Sequence, residues 1–437
     1  MIRPTRRAVM IFSLGVPLAL FLVIYDAGLW ALSFDFGVLV LVAIATDGLL
    51  AFPPRRLKLD AAVPPSLYIG ERGVLGVTIA PARYRRPARF EVLADFAGAL
   101  DPAELVTVEL APGAETRVSL PIVPRRRGRV TIERVWVRWQ GPLGLMQLVR
   151  VHPVGRTVDV LPNVRGVKSA AIQFFADEAI FGIKVQQQRG EGTEFEALRE
   201  HRAGHDSRHI DWKHSARHRK LLSKEFQTER NHQVILAFDT GYLMREPIDG
   251  IPRLDHVINA ALLLAWISLH GGDLVGTFAF DAALRHYLTP VRGINSFARI
   301  QQAAAELEYR TDETNFTLGL AELGARLKRR ALVILFTEFV DTVTAELLIE
   351  SMQRVAARHV VVFVTLRDSL MQRVVDAPPS RFERVAEAVI AHDLLRERSI
   401  VFERLERLGV HCLDVPSRGL SVALINRYLM VKQRGLI

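Results

Sequence analysis

Residues 8–25 carry no charged side chain, and residues 36–52 form a second apolar run broken only by Asp47. At about 1.5 Å of helical rise per residue the first run nearly crosses a hydrocarbon core of about 30 Å. Residues 26–35 between the runs are too few for a domain. The pattern predicts a two-helix transmembrane hairpin over residues 1–56. A cleaved signal peptide would account for the first run alone, but no small-x-small site follows and a second apolar run does. Arg3, Arg6 and Arg7 precede the first run, Arg55, Arg56 and Lys58 follow the second, and the connecting loop carries only Asp26 and Asp35. That asymmetry predicts both outer ends, and everything after Pro54, on the cytoplasmic side of an inner membrane. Asp47 inside a span is a functional candidate by default. Its place near the cytoplasmic end lets it reach water or pair with Arg55.

Composition supports a membrane segment joined to folded domains. Apolar residues make up 49% and charged residues 24% of 437, and mean hydropathy is positive at +0.16 despite that charge. The apolar residues are therefore concentrated, and a disordered or low-complexity chain is excluded. The net charge of +10 permits nucleic acid and equally an anionic membrane face. Cys412 is the only cysteine, which excludes an intrachain disulfide and a cysteine-based zinc site.

Over residues 57–165 the period changes to two. Short strand-like runs at 74–79, 90–93, 105–110, 116–120, 130–139 and 158–161 are punctuated by Pro112-Gly113 and Gly141-Pro142. In 130–139 the alternation slips once, near Arg134-Val135, as a bulge would make it. Such spacing predicts a β-sandwich of immunoglobulin or fibronectin type. Arg125-Arg126-Arg127 is read as a solvated turn, with a phosphate or lipid contact as the alternative.

Residues 166–230 hold the most informative stretch, RGEGTEFEALREHRAGHDSRHIDWKHSARHRKLLSKEFQTER over 189–230. Residues 194–199 are compatible with a helical turn or two, Gly204 and Asp206 with a turn, and 221–226 with a strand. Ile210 and Trp212 serve as apolar anchors, with Arg208, Asp211, Arg217 and Glu225 able to form charge-assisted pairs around them. His201, His205, His209, His214 and His218 invite a metal, but Gly204 and Asp206-Ser207 interrupt any common helix and no HExxH motif is present. The arginines allow a nucleic-acid patch, yet Phe195, Trp212 and Phe226 are sparse aromatic interleaving, and nucleic acid is not expected as a partner.

This stretch resembles the DUF58 family, through Gly192, Glu194, Phe195, Leu198, Arg199, Gly204, Arg208, Ile210, Asp211, Trp212, Lys213, Ser215, Ala216 and Arg217. His201 and His205 stand where that family usually has Tyr and Asp. The paired apolar runs, the β segment with its Gly141-Pro142-Leu143-Gly144-Leu145 turn and the downstream α/β region fit the same layout. The segment is expected to form a packed, ion-paired platform between the β and α/β domains. Asp211 and Trp212 would carry the packing, and His205, Lys213 and Arg219 would face a partner.

Over residues 231–437 apolar strands at 234–238, 274–280, 331–336, 360–366 and 410–414 alternate with helices at 254–270, 296–307, 318–328, 345–358, 382–408 and 421–432. The alternation predicts a doubly wound, mostly parallel sheet with sites beyond its strand ends. Asp239 and Glu338 fall at such ends. The region resembles a von Willebrand factor A domain, whose Asp-x-Ser-x-Ser loop, Thr and second Asp hold Mg²⁺. Asp239 and Thr314 match, Glu338 replaces the second Asp, and Gly241 and Leu243 replace both serines, so a degenerate site without metal or other cofactor is expected.

The sequence shows no P-loop, no Gly-x-Ser-x-Gly elbow and no dinucleotide fingerprint. Together with the resemblance, this implies a membrane-anchored interaction protein rather than an enzyme. The resemblance implies a MoxR-type AAA+ ATPase as partner, in assembly or maturation of protein complexes. The alternative is a metal-dependent enzyme using the strand-end acids or the histidines.

Overall fold

The computed structural model describes residues 2–26, 30–81, 88–97, 100, 104–110, 115–163, 189–200, 210–227, 232–340, 342–376 and 382–437. The chain divides into two compact units, 1–163 and 164–437.

The first unit opens with a strand, β1 (Ile2–Pro4), followed by α1 (Arg6–Ser13), α2 (Gly15–Tyr25) and α3 (Trp30–Leu50). Thr5 caps α1, its hydroxyl accepting from the Ala8 N–H. Among the described residues, only the segment containing α3 is long and apolar enough to cross a membrane. The first apolar run is two short helices that meet at Leu14, and α2 packs beside α3, where a Cβ on Gly15 would touch the Phe36 ring at 3.3 Å.

The following strands are β2 (Leu57–Ala62), β3 (Ser66–Tyr68), β4 (Gly73–Pro81), β5 (Ala88–Ala97), β6 (Val106–Leu110), β7 (Thr116–Ile122), β8 (Gly128–Gln140) and β9 (Met146–Leu161). They form a three-stranded antiparallel sheet, β2-β4-β7, and a larger sheet, β1-β9-β8-β5-β6, with β3 parallel to β9. Alternation buries one side of each strand: Val135, Val137 and Trp139 on β8, Leu75, Val77 and Ile79 on β4. The register of β8 shifts at Glu133 against both neighbours, the bulge that the broken alternation marks.

Asp47 departs from expectation. It neither reaches water nor pairs with Arg55, which is exposed. Its carboxylate is fully buried and accepts three backbone N–H groups of the β8–β9 turn, from Leu143 (2.6 Å), Leu145 (2.7 Å) and Met146 (2.7 Å). Unpaired amides are costly away from water, and a carboxylate taking several of them offsets its own desolvation. Gly141 is required here, because a Cβ would come within 2.6 Å of Asp47 Oδ2. Trp139 Nε1 donates to the Phe52 carbonyl at 3.0 Å, which ties the end of this helical segment to the same sheet.

In the second unit, β10 (Arg189–Glu200) pairs antiparallel with β11 (Leu222–Gln227), and α4 (Trp212–His218) lies between them in sequence. The six-stranded sheet begins with β12 (Gln233–Asp239), α5 (Tyr242–Arg245), a small hairpin of β13 (Pro247–Ile248) and β14 (Ile251–Pro252), α6 (Arg253–His270), β15 (Leu274–Phe280) and β16 (Leu284–Val291). It continues through α7 (Phe297–Ala305), α8 (Phe316–Arg326), β17 (Ala331–Phe336), α9 (Thr342–Ala356), β18 (Val360–Leu366), α10 (Ser369–Asp376), α11 (Phe382–Arg407), β19 (His411–Val415) and α12 (Leu420–Gln433). The order is β16-β15-β12-β17-β18-β19, parallel except for β16 at the edge. Both faces are covered. Val234, Leu236 and Phe238 of β12 enter a core with α6, α7 and α12, and Ile235 and Ala237 enter another with α8, α9 and α11. Burial on both faces explains why the central strands read as unbroken apolar runs.

Candidate functional site

The signature segment is positioned by two strands and a short helix. Residues 194–199, read as helical from the sequence, are instead part of β10, with Glu194 opposite Gln227, Phe195 opposite Phe226 and Arg199 opposite Ser223. A short helix flanked by Gly190 and Gly192 has a costly nucleus, whereas β11 supplies ready backbone partners. Gly204, Asp206 and Arg208, with His201, His205 and His209, lie outside the described residues. Ile210 bridges Ser223, and the Asp211 N–H donates to the Leu222 carbonyl at 2.9 Å.

Asp211 caps α4. Its Oδ1 accepts from the His214 N–H at 3.1 Å, and its Oδ2 lies 3.0 Å from His214 Nδ1. Ser215 Oγ accepts from the Leu222 N–H at 2.8 Å and so pins the buried side of the helix to β11. Trp212 is not the packed anchor expected. It is 69% exposed, and Lys213 and Arg217 are exposed with it.

A second cluster lies beyond the carboxyl ends of the parallel strands, where open α/β sheets hold ligands. Asp239 at the end of β12 is 1% exposed and accepts from Thr314 Oγ1 (2.7 Å), Thr337 Oγ1 (2.5 Å) and the Gly241 N–H (2.8 Å). Burial pushes its carboxyl up to about 6, against the downward pull of those hydrogen bonds. Asp281 follows β15 and pairs with Arg285, which also reaches Asp312 at 3.0 Å. Burial raises the Asp281 carboxyl, but the Arg285, Ala283 and Thr240 hydrogen bonds outweigh it and hold it below the usual range. Glu338 after β17 is clamped by Arg253 (2.6 Å) and Arg398 (2.5 Å), and Arg398 also holds Asp414 at 3.0 Å.

The structure thus brings Asp239 and Thr314 into contact and directs Glu338 to arginines. These residues do not fit a Mg²⁺ centre. Glu338 is neutralised by two guanidinium groups, Gly241 and Leu243 carry no side-chain oxygen, and a Cβ on Gly241 would overlap Thr314 Oγ1. No group of three or more His, Cys, Asp or Glu side chains placed to share a metal occurs among the described residues. Sequence reasoning missed Asp281, Thr337, Arg253 and Arg398. Asp281 carries the signal that singled out Asp239, an acid directly after an apolar strand. The arginines carry none, being 85 and 60 residues from Glu338.

Residues 197–383 match the family described as Protein of unknown function DUF58, and the chain carries a DUF58-family domain over them. No curated protein matches. Among solved structures, the chain is similar to the conserved hypothetical protein BatB from Bacteroides thetaiotaomicron, at 14% identity over 31% of this chain and 66% of that one, TM-score 0.24. It is also similar to E. coli alpha-2-macroglobulin, at 17% identity over 24% of this chain and 7% of that one, TM-score 0.18. The chain spans less than two thirds of the length of either.

Proposed function

We infer that this is a membrane-anchored interaction protein with its soluble domains in the cytoplasm. In this reading α1 and α2 form one bent span beside α3, the β strands form an immunoglobulin-like sandwich, and the six-stranded sheet is a von Willebrand factor A-like module without metal. The partner is a MoxR-type AAA+ ATPase, as the family resemblance implies, and the role is assembly or maturation of protein complexes. The observation that carries the reading is Trp212, held in the open on a helix that Asp211 and Ser215 fix to β11. An exposed tryptophan on a short helix that also exposes Lys213 and Arg217 has the composition of an interface hot spot, and exposure of so large a ring is not needed for folding.

Co-purification of the full-length protein with a co-expressed MoxR-type ATPase tests it. Trp212→Ala with Lys213→Ala should melt like the wild type and lose the ATPase. Asp211→Ala should lose about 1 kcal/mol of local stability with its cap. Wild-type recovery of the ATPase by the Trp212→Ala, Lys213→Ala protein would overturn the assignment.

A further inference from the structure

The β8–β9 turn is held between two helix ends. The Thr5 N–H donates to the Leu145 carbonyl at 2.8 Å and Thr5 Oγ1 to the Gly144 carbonyl at 2.8 Å, while Asp47 takes the amides on the other side. A Cβ on Gly48 would contact the Met146 side chain at 3.6 Å, so the turn lies flush against α3. Asp47 sits three residues before the end of α3, about 4.5 Å along its axis. If α3 crosses a bilayer, the turn lies at the depth where acyl chains give way to headgroups. Its tip, Leu143, is 57% exposed.

Basic residues flank both helix ends in the sequence. Arg6 and Arg7 occupy the first turn of α1 and are exposed, as are Arg55, Arg56 and Lys58 just beyond α3. The first turn of α1 contains no acid. Two arginines at the positive end of a helix dipole work against that helix. Their placement is favourable only with anions nearby, and the headgroups of an anionic leaflet are at this level.

We propose that the β8–β9 turn and this basic collar form a seat on an anionic lipid leaflet, with Leu143 in the headgroup–acyl boundary and Arg6, Arg7, Arg55, Arg56 and Lys58 on lipid phosphates. The proposal rests on the membrane-anchor reading and adds that the β domain itself touches lipid. One face of the domain would then be fixed against the membrane, because Asp47 and Thr5 leave the turn no freedom to swing.

The test uses the full chain with Cys412→Ser, reconstituted into vesicles of phosphatidylcholine with 30% phosphatidylglycerol, roughly the charge of an anionic leaflet. Single cysteines at Val42, Leu143 and Arg129 carry an environment-sensitive fluorophore, and lipids brominated near the headgroup or deep in the chain act as quenchers. Val42 is an exposed residue of α3, and Arg129 lies at the other end of β8, about 36 Å along the strand from the turn. Expected are deep quenching at Val42, shallow quenching at Leu143 and none at Arg129. Brominated phosphatidylglycerol should quench Leu143 more than brominated phosphatidylcholine. That preference should fall roughly fivefold for each basic residue changed to Gln, and fall again in high salt. Quenching at Val42 but not at Leu143 overturns the seat and leaves the anchor standing. Absence of quenching at Val42 overturns both, and equal quenching of Leu143 by the two lipids overturns the anionic assignment.

Discussion

Replacing Asp47 removes the acceptor for three backbone amides at once. Leu143 is exposed enough for water to serve its N–H, whereas Leu145 and Met146 are half-buried. An unsatisfied buried donor costs about 1–3 kcal/mol. Two such donors, partly reached by water, place Asp47→Ala at about 3 kcal/mol of local opening free energy. Asp47→Asn keeps one acceptor oxygen and should fall between. Gly141→Ala attacks the same contact from the other side, since its Cβ would overlap the carboxylate, and overpacking costs about 1–3 kcal/mol. The two changes should be coupled: with Asp47 truncated there is room for a methyl at 141, so Gly141→Ala should cost little in the Asp47→Ala background. Hydrogen exchange of peptides spanning 141–148, followed by mass spectrometry in detergent, reads this directly. A loss of about 3 kcal/mol corresponds to roughly hundredfold faster exchange where opening and reclosing are fast relative to chemical exchange. Equal acceleration by Gly141→Ala in both backgrounds would refute the clamp, and wild-type exchange in Asp47→Ala would show that the three amides have other acceptors.

Three further outcomes follow from the strand-end cluster. Glu338→Gln leaves Arg253 and Arg398 short of a counter-charge in a nearly buried setting, so the urea midpoint of the second unit should fall by the equivalent of about 3 kcal/mol, the low end for a broken buried pair because Arg398 keeps Asp414. Asp239 has a folded pKa of about 6 against an ordinary 3.8, so the folded state binds its proton more tightly. Its favourable contribution is full below pH 3.8 and is lost as pH rises through 6, by up to about 3 kcal/mol, and Asp239→Asn should flatten that part of the stability–pH curve. Gly241→Ser with Leu243→Ser should still give no saturable heat with millimolar Mg²⁺ and should lower the melting temperature, because the new Cβ displaces Thr314 from Asp239.

The central strands β12, β17 and β18 were legible because burial on both faces leaves an apolar run with no polar interruption. The long helix α6 was legible because its pattern ends at Gly271-Gly272. Strand β16 was not. As the antiparallel edge it alternates His286 and Pro290 with apolar residues, and an edge strand tolerates both. Helix α10 is short, and its exposed Leu370 and Met371 give no buried stripe to follow. The bulge on β8 could be seen because a bulge breaks a period of two within one strand. The strand-end acid Asp239 was found by position, but the partners of Asp47 and Glu338 lie 60 to 99 residues away, and local pattern carries no information about which arginine or amide arrives. For Trp212, size and apolarity argue for burial, whereas the ring is exposed at the start of α4, and no local pattern marks that exposure.

Everything proposed for a cytoplasmic partner depends on which side of the membrane the domains occupy. The measurement that decides it is thiol labelling in intact cells with a membrane-impermeant reagent, on full-length protein carrying Gly28→Cys or Ser66→Cys. Both variants carry Cys412→Ser, so the introduced cysteine is the only thiol. The basic flanks of the apolar runs predict labelling at position 28 in intact cells and at position 66 only after lysis. Labelling at position 66 before lysis, with position 28 protected, would place the β and α/β domains outside the cytoplasm and contradict the account.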